Sequence, residues 1–97
     1  MAMYVSLIEF TDPGIHNIKE TVKRHEASMA EAEKMGMKIV EAFWTMGAYD
    51  VVVVLDAPDD ETMSAFALKV SAMGSVKTHT MRAFPREEME KILAKIK

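Results

Sequence analysis

The sequence predicts an α+β fold of the ferredoxin-like kind: βαββαβ followed by a last helix, with an antiparallel four-stranded sheet. Three observations carry that prediction. The hydrophobic period switches along the chain, from strand-like runs to apolar residues recurring at steps of three, four and seven. The stretch Phe43–Leu55 holds the only Trp, one of the two Tyr and the longest β-branched run, broken at Met46-Gly47-Ala48 as a hairpin between two buried strands would be. Within it, Val51-Val52-Val53-Val54-Leu55 is apolar on both faces, whereas a sheet covered by helices on one side should alternate. Left in water, that second face would exceed the few hundred Å² a monomer usually tolerates. A second copy packing sheet against sheet, a dimeric α+β barrel made by a two-fold axis, is the expected solution. The alternative is that the last helix folds back over the sheet.

Each element follows in order. Met3 to Thr11 reads as the first strand, with Ser6 and Glu9 its polar interruptions, and Asp12-Pro13-Gly14 is a turn signal that ends it. Ile15, Ile18, Val22, Met29 and Ala32 then form a helical stripe running to Met35, with Gly36 as the C′ stop. Lys19, Glu20, Lys23, Glu26, Glu31 and Lys34 occupy the opposite face, and Glu20–Arg24 has i,i+4 spacing. A second strand is expected from Met37 to Met46 and a third from Tyr49 to Ala57, with Gly47 taking positive φ at the hinge. Asp59 is a good N-cap for a second helix, whose stripe is Met63, Phe66, Ala67, Val70 and Met73, closed by Gly74. The fourth strand covers Val76 to Phe84. Pro85 stands where an N1 proline starts the last helix, with Met89, Ile92, Leu93 and Ile96 on its apolar side.

Composition narrows the function classes. Residues 1–97 make a single domain, enough for one core that buries roughly two-thirds of the unfolded surface. Apolar content is 49% and charged content 28%, which argues against disorder. A net charge of −3 supplies no electrostatic drive toward nucleic acid or anionic lipid, so neither is an expected partner. The absence of Cys excludes disulfides, a thiol nucleophile and Cys-ligated zinc. With no signal-like or membrane-length apolar run, the cytoplasm is the expected compartment.

No catalytic motif is present, so candidate residues come from placement. Thr78, Thr80 and Arg82 share one face of the fourth strand with Val76 and Phe84. Turned into a barrel, two hydroxyls and a guanidinium would be the polar groups of an apolar pocket, and Arg82 could hold a carboxylate bidentately. Equally, Arg82 could reach the rim and pair with Glu9 or Asp56. Trp44, Tyr49, Asp50 and His79 complete the candidate ligand-binding set, although the residue types at Gly47 to Asp50 favour a turn over a pocket. His25 falls on the stripe between Val22 and Met29 and reads as a packed histidine; His79 has no paired carboxylate nearby in sequence. His16 and His25 face opposite ways on a helix, so no metal site is expected. Met29, Met35, Met63, Met73 and Met89 read as adaptable core filler, and Met46 as a pocket or interface residue.

These residues resemble the GYD-domain family, named for a Gly-x-Tyr-Asp hairpin that stands here as Gly47-Ala48-Tyr49-Asp50. The resemblance runs nearly end to end, through Phe10-Thr11-Asp12, Gly14, Asn17 to Thr21, Arg24, Phe43 to Met46, Ala57 to Asp60, Thr78, Thr80 and Arg82-Ala83-Phe84. It implies a small ferredoxin-like domain of the dimeric α/β-barrel kind and no established activity. More distantly, the hairpin and the Gly74-x-Val76-x-x-x-Thr80 spacing resemble the effector-binding domain of leucine-responsive (feast/famine) regulators, without their DNA-binding segment. That likeness implies binding of amino acids at the subunit interfaces of dimers that assemble further.

Three expectations follow. The first is a homo-oligomeric module, its partner a second copy of itself, binding a small carboxylate metabolite in the inter-sheet or subunit-interface cavity and needing no cofactor. The second is a cofactor-independent monooxygenase- or isomerase-like enzyme using His79, Tyr49 and Asp50. The third is RNA binding through Tyr4 and Tyr49, against which the acidic balance and the valine-rich third strand stand.

Overall fold

A computed structural model describes residues 1–97. The elements are β1 (Ala2–Phe10), α1 (Asp12–His16), a 3-10 turn (Ile18–Glu20), α2 (Thr21–Lys34), β2 (Lys38–Trp44), β3 (Val51–Ala57), α3 (Asp60–Ala72), β4 (Val76–Ala83) and α4 (Arg86–Leu93). The strands lie in the order β2-β3-β1-β4, with every neighbour antiparallel. That is the expected ferredoxin-like sheet.

Register divides the residues between two faces. Tyr4 pairs with Leu55 and Arg82, Ser6 with Val53 and Thr80, and Ile8 with Val51 and Thr78. Because side chains alternate, these residues share the face that α2 and α3 cover. The core sits there: Tyr4, Ala32, Met37, Val51, Val53, Leu55, Ala57, Met63 and Phe66 are buried together. Val5, Leu7, Val52 and Val54 lie on the opposite face beside Phe43 and Met81, since Val5 pairs with Val54 and Met81, and Leu7 with Val52.

Three expectations need correction, and one alternative falls away. The first helix is not continuous from Ile15 to Met35. Asp12-Pro13-Gly14 is a helix start, because proline is tolerated in the first turn and the Thr11 hydroxyl accepts the Gly14 N–H. Asn17 leaves helical geometry and separates α1 from the 3-10 turn and α2. Gly14 is needed for close approach, since a Cβ there would meet the Ser75 carbonyl oxygen at 2.0 Å.

The expected stripe on that helix is also not the buried one. Ile15, Ile18, Val22 and Met29 are exposed, and of the stripe only Ala32 is buried. α2 is rotated so that Thr21, Arg24, His25, Ser28 and Glu31 face the space under it. On α3 the expectation holds better: Asp59 caps it through the Thr62 N–H at 2.8 Å, and Met63 and Phe66 are buried, whereas Met73 is exposed. Met29, Met73 and Met89 are therefore not core filler; Met63 is.

The hairpin loop is longer than expected. β2 ends at Trp44 and β3 begins at Val51, because Thr45 and Asp50 leave the ladder to close the loop themselves. Thr45 N–H donates to the Asp50 carbonyl at 2.8 Å and the Thr45 hydroxyl to the Tyr49 carbonyl at 2.6 Å. Gly47 has φ 118°, the positive value expected of it.

Finally, α4 does not fold back over the sheet. None of its residues is buried; Met89 and Leu93 are exposed, as is Ile96 just beyond it. The radius of gyration is 14.6 Å, against about 12.5 Å for a compact chain of this length. No helix covers the open face. No helix is long and apolar enough to cross a membrane.

Candidate functional site

The candidate residues fall into three places. On the helix side, a cavity of about 320 Å³ lies between α2, α3 and the sheet. Its floor is apolar, from Ile8, Phe10, Val51, Val53 and Leu55, with Ser6, Thr78 and Thr80 as its hydroxyls. Ser6 Oγ and Thr80 Oγ1 are 3.0 Å apart and hydrogen-bonded to each other. The Lys69 ammonium reaches from α3 to the Glu31 carboxylate on α2, joining the two helices across the cavity. That hydrogen bond holds the Glu31 carboxyl below its ordinary range. Trp44 stands at the α2 side, where its indole N–H donates to the Thr21 hydroxyl at 3.1 Å and its ring meets His25 edge-on at 5.4 Å. His25 is thus a half-buried packed histidine.

Thr78 and Thr80 therefore face the helices, and not an inter-sheet space. Alternation dictates that they share a face but not which one, and the register with Ile8 and Ser6 decides it.

Arg82 is at the end of the same face, where with Tyr4, Asp60, Met63 and Thr80 it lines a second hollow of about 310 Å³. Its guanidinium lies 4.7 Å from the Phe84 ring centre and 5.6 Å from that of Tyr4, and donates to the Met3 carbonyl at 3.2 Å. Its carboxylate partner is Glu88 of α4 at 3.6 Å, and neither Glu9 nor Asp56. The reason is that Glu9 and Asp56 project from the other face of the sheet. Tyr4 is buried under α3, its hydroxyl donating to Asp60, so it offers no exposed ring for stacking. The hydrogen bond to Asp60 raises the Tyr4 pKa, with burial adding to the shift.

The third place is the open face. His79 Nε2 is 2.7 Å from Glu9 Oε2, and the Tyr49 ring meets the imidazole edge-on at 5.7 Å. His79 does have a carboxylate partner. Glu9 pairs across with Lys77, one diagonal step from His79 on the same face, so only the strand register reveals the contact. Asp50 is committed to structure: its Oδ2 accepts the Phe10 N–H at 2.8 Å and its own N–H donates to the Ile8 carbonyl at 2.8 Å. Met46 at the hairpin tip is 99% exposed and lines neither cavity nor core.

Residues missed by sequence reasoning are Glu9, Arg24, Glu31, Lys69 and Glu88. In the sequence Arg24 stands out only as an i,i+4 partner for Glu20 and as one of the residues that carry the family resemblance. In the structure it lines one end of the cavity while its guanidinium reaches toward α1, with Nη1 donating to the Asn17 carbonyl at 2.8 Å and Nη2 to the Gly14 carbonyl at 3.3 Å.

Comparison with known proteins follows the same lines. The GYD domain matches residues 4–93. A Thermus thermophilus protein named "Glutamine synthetase and cystathionine beta-lyase binding protein" is 31% identical over 86 residues, covering 88% of this chain and 90% of that protein. Among solved structures, FFRP-DM1 aligns with TM-score 0.63 at 21% identity, over 87% of this chain and all of its own. A hypothetical protein from Pyrococcus horikoshii aligns with TM-score 0.57 at 22% identity, over 89% of this chain and 93% of its own. Those two likenesses establish the fold alone. The family match over nearly the whole length, together with the Thermus relative, establishes more: this chain belongs to the GYD domain family.

Proposed function

We propose that this chain is a homo-oligomeric, non-catalytic binding module. A second copy seats on the open sheet face, and the assembly holds a protein partner of the metabolic-enzyme kind. The observation that carries the self-association is the uncovered apolar face of Val5, Leu7, Phe43, Val52, Val54 and Met81, which no helix reaches. Pairing two such faces removes a patch that water would otherwise border. The protein partner is supported by the name of the Thermus relative, which binds two enzymes. A cysteine-free composition keeps the cytoplasm as the expected compartment. The carboxylate part of the reading attaches to the helix side of the sheet, because Thr78 and Thr80 line the cavity there.

Sedimentation equilibrium at micromolar concentration tests self-association: a dimer or larger assembly is expected, and a stable monomer overturns it. Co-sedimentation with purified glutamine synthetase from the same organism tests the partner. A complex is expected, and separate boundaries overturn that half of the reading.

A cofactor-independent enzyme is a second reading, favoured by one observation: Glu9 gives His79 a paired carboxylate, with Tyr49 beside them. Both members of the pair are 41% exposed, so neither is desolvated as a tuned base would be. Turnover of any substrate that His79→Ala abolishes would establish this reading over the first.

A further inference from the structure

We propose that the cavity between α2, α3 and the sheet binds an apolar-bodied carboxylate, with the Arg24 guanidinium holding the headgroup. This rests on the reading of the chain as a ligand-binding module, but not on its self-association.

The argument begins with α2. A helix laid over a sheet ordinarily turns its apolar stripe inward. Here Val22 and Met29 are exposed while Thr21, Arg24, Ser28 and Glu31 line the cavity. The α2 side therefore brings charged groups to a cavity that is otherwise mostly apolar, apart from the Ser6, Thr78 and Thr80 hydroxyls of its floor. Charges on α2 gain nothing from contact with Val51, Val53 and Leu55, so direct closure of the cavity is unfavourable on that side. An amphipathic occupant satisfies both at once.

Charge selects the headgroup. Glu31 and Lys69 neutralise each other across the cavity. Arg24 is half-buried and has no carboxylate within ion-pair distance; its two hydrogen bonds go to the carbonyls of Asn17 and Gly14. Carbonyls orient a guanidinium without cancelling its charge, and three of its five N–H donors are left for a ligand. The lining thus carries one uncompensated positive charge, which a carboxylate complements bidentately. Size selects the body. A cavity of about 320 Å³ matches about ten non-hydrogen atoms at the volume share of liquid water.

Octanoate, with ten non-hydrogen atoms, is the probe, and 1-octanol and octylamine are its neutral and cationic counterparts. Titration calorimetry on the full chain should show octanoate binding about tenfold or more tighter than 1-octanol, with octylamine weakest. Arg24→Gln should bring octanoate down to the level of 1-octanol while leaving 1-octanol unchanged. Ser28→Phe and Ala67→Phe, which fill the cavity from its two walls, should abolish binding of both. Arg82→Leu should alter neither. Equal affinity for octanoate and octylamine, or octanoate binding that survives a filled cavity, overturns the inference. Should both filled variants fail to fold, the headgroup comparison in Arg24→Gln decides alone. Sedimentation of the same proteins keeps the two readings apart. Octanoate indifference in a protein that still self-associates sinks the cavity site only, and a monomer that still takes octanoate sinks self-association only.

Discussion

The two faces of the sheet are built from one run of valines, yet they do different work. Val51, Val53 and Leu55 are 6%, 5% and 2% exposed under the helices, and they hold the monomer together. Val52 and Val54, one residue away each, lie on the side that no helix covers. The difference teaches that a two-sided apolar strand is two interfaces interleaved at a period of two. The helices show the same lesson inverted. α3 buries Met63 and Phe66 as an amphipathic helix should, whereas α2 turns polar residues inward and leaves Val22 and Met29 outside.

The largest expected effect comes from placing one charge on either face. Val53→Lys puts an ammonium into the core beside Leu55, with no partner to receive it. Such a burial costs about 4–5 kcal/mol or more, comparable with the whole stability of a small domain. The variant should be unfolded by circular dichroism at any concentration. Val54→Lys should keep its secondary structure and lose the oligomer, as sedimentation would report. If Val54→Lys stays associated, the open face is not the interface and the contrast between the faces collapses.

How much of this was legible in the sequence depends on what each feature needs. Strand and helix types needed only local periodicity, which Val51 to Leu55, the Asp59 cap and the Met63–Phe66 stripe supply. The two-sided character of β3 was readable for the same reason. The direction of Thr78 and Thr80 was not, because alternation says which residues share a face and never which face is covered. The place of Arg24 at one end of the cavity was hidden for a different reason. Asn17 breaks the first helix, so Ile15 and Ile18 do not belong to α2, and within α2 the face of Val22 and Met29 is turned outward. The Glu9–His79 and Arg82–Glu88 pairs depend on cross-strand register and on the path of α4, which no local pattern encodes.

Register can itself be challenged through the hairpin. A one-residue slip of β3 would exchange the odd and even valines between faces, so the loop at Thr45–Asp50 guards the distinction. Gly47 has φ 118°, a region that β-branched residues resist. Gly47→Val should destabilise the fold by about 1 kcal/mol or more in urea titration. Melting together with the wild type would show that the loop relaxes without Gly47.

Acid should weaken the helix-covered side by a smaller amount. Asp59 is held below its ordinary carboxylate range by its hydrogen bonding with the Thr62 side chain and then the Thr62 backbone N–H, and Glu31 by Lys69. Folded-state values below the unfolded ones mean that both contributions are present above the ordinary carboxylate range. They are lost as pH falls through the lowered values. The melting temperature should therefore drop between pH 7 and pH 3, and Asp59→Asn, which can still cap α3, should shrink the drop. An unchanged acid dependence in Asp59→Asn would remove Asp59 from the account.

The smallest expected effect is at Arg82, where the covered face meets α4. The side chains of Arg82 and Glu88 are 32% and 39% exposed, although the paired Oε2 of Glu88 is itself buried, so the pair belongs at the upper end of the roughly 0–1 kcal/mol typical of exposed pairs. Arg82→Leu keeps a stem that can lie against Phe84 and Tyr4 while deleting the guanidinium and its hydrogen bond to the Met3 carbonyl. The core above β1 and β3 is untouched by that change, so urea titration should move by no more than about 1 kcal/mol. What should change is α4. Arg82 is the ionic link from the sheet to Glu88, and none of the residues of α4 is buried to hold it otherwise. Amide hydrogen exchange should accelerate across Arg86–Leu93 and stay unaltered in β3, because the one segment loses its tether and the other keeps its packing. A loss well beyond 1 kcal/mol, or exchange that quickens equally in β3, would place Arg82 inside the folding core and erase the boundary drawn here between the covered face and its rim.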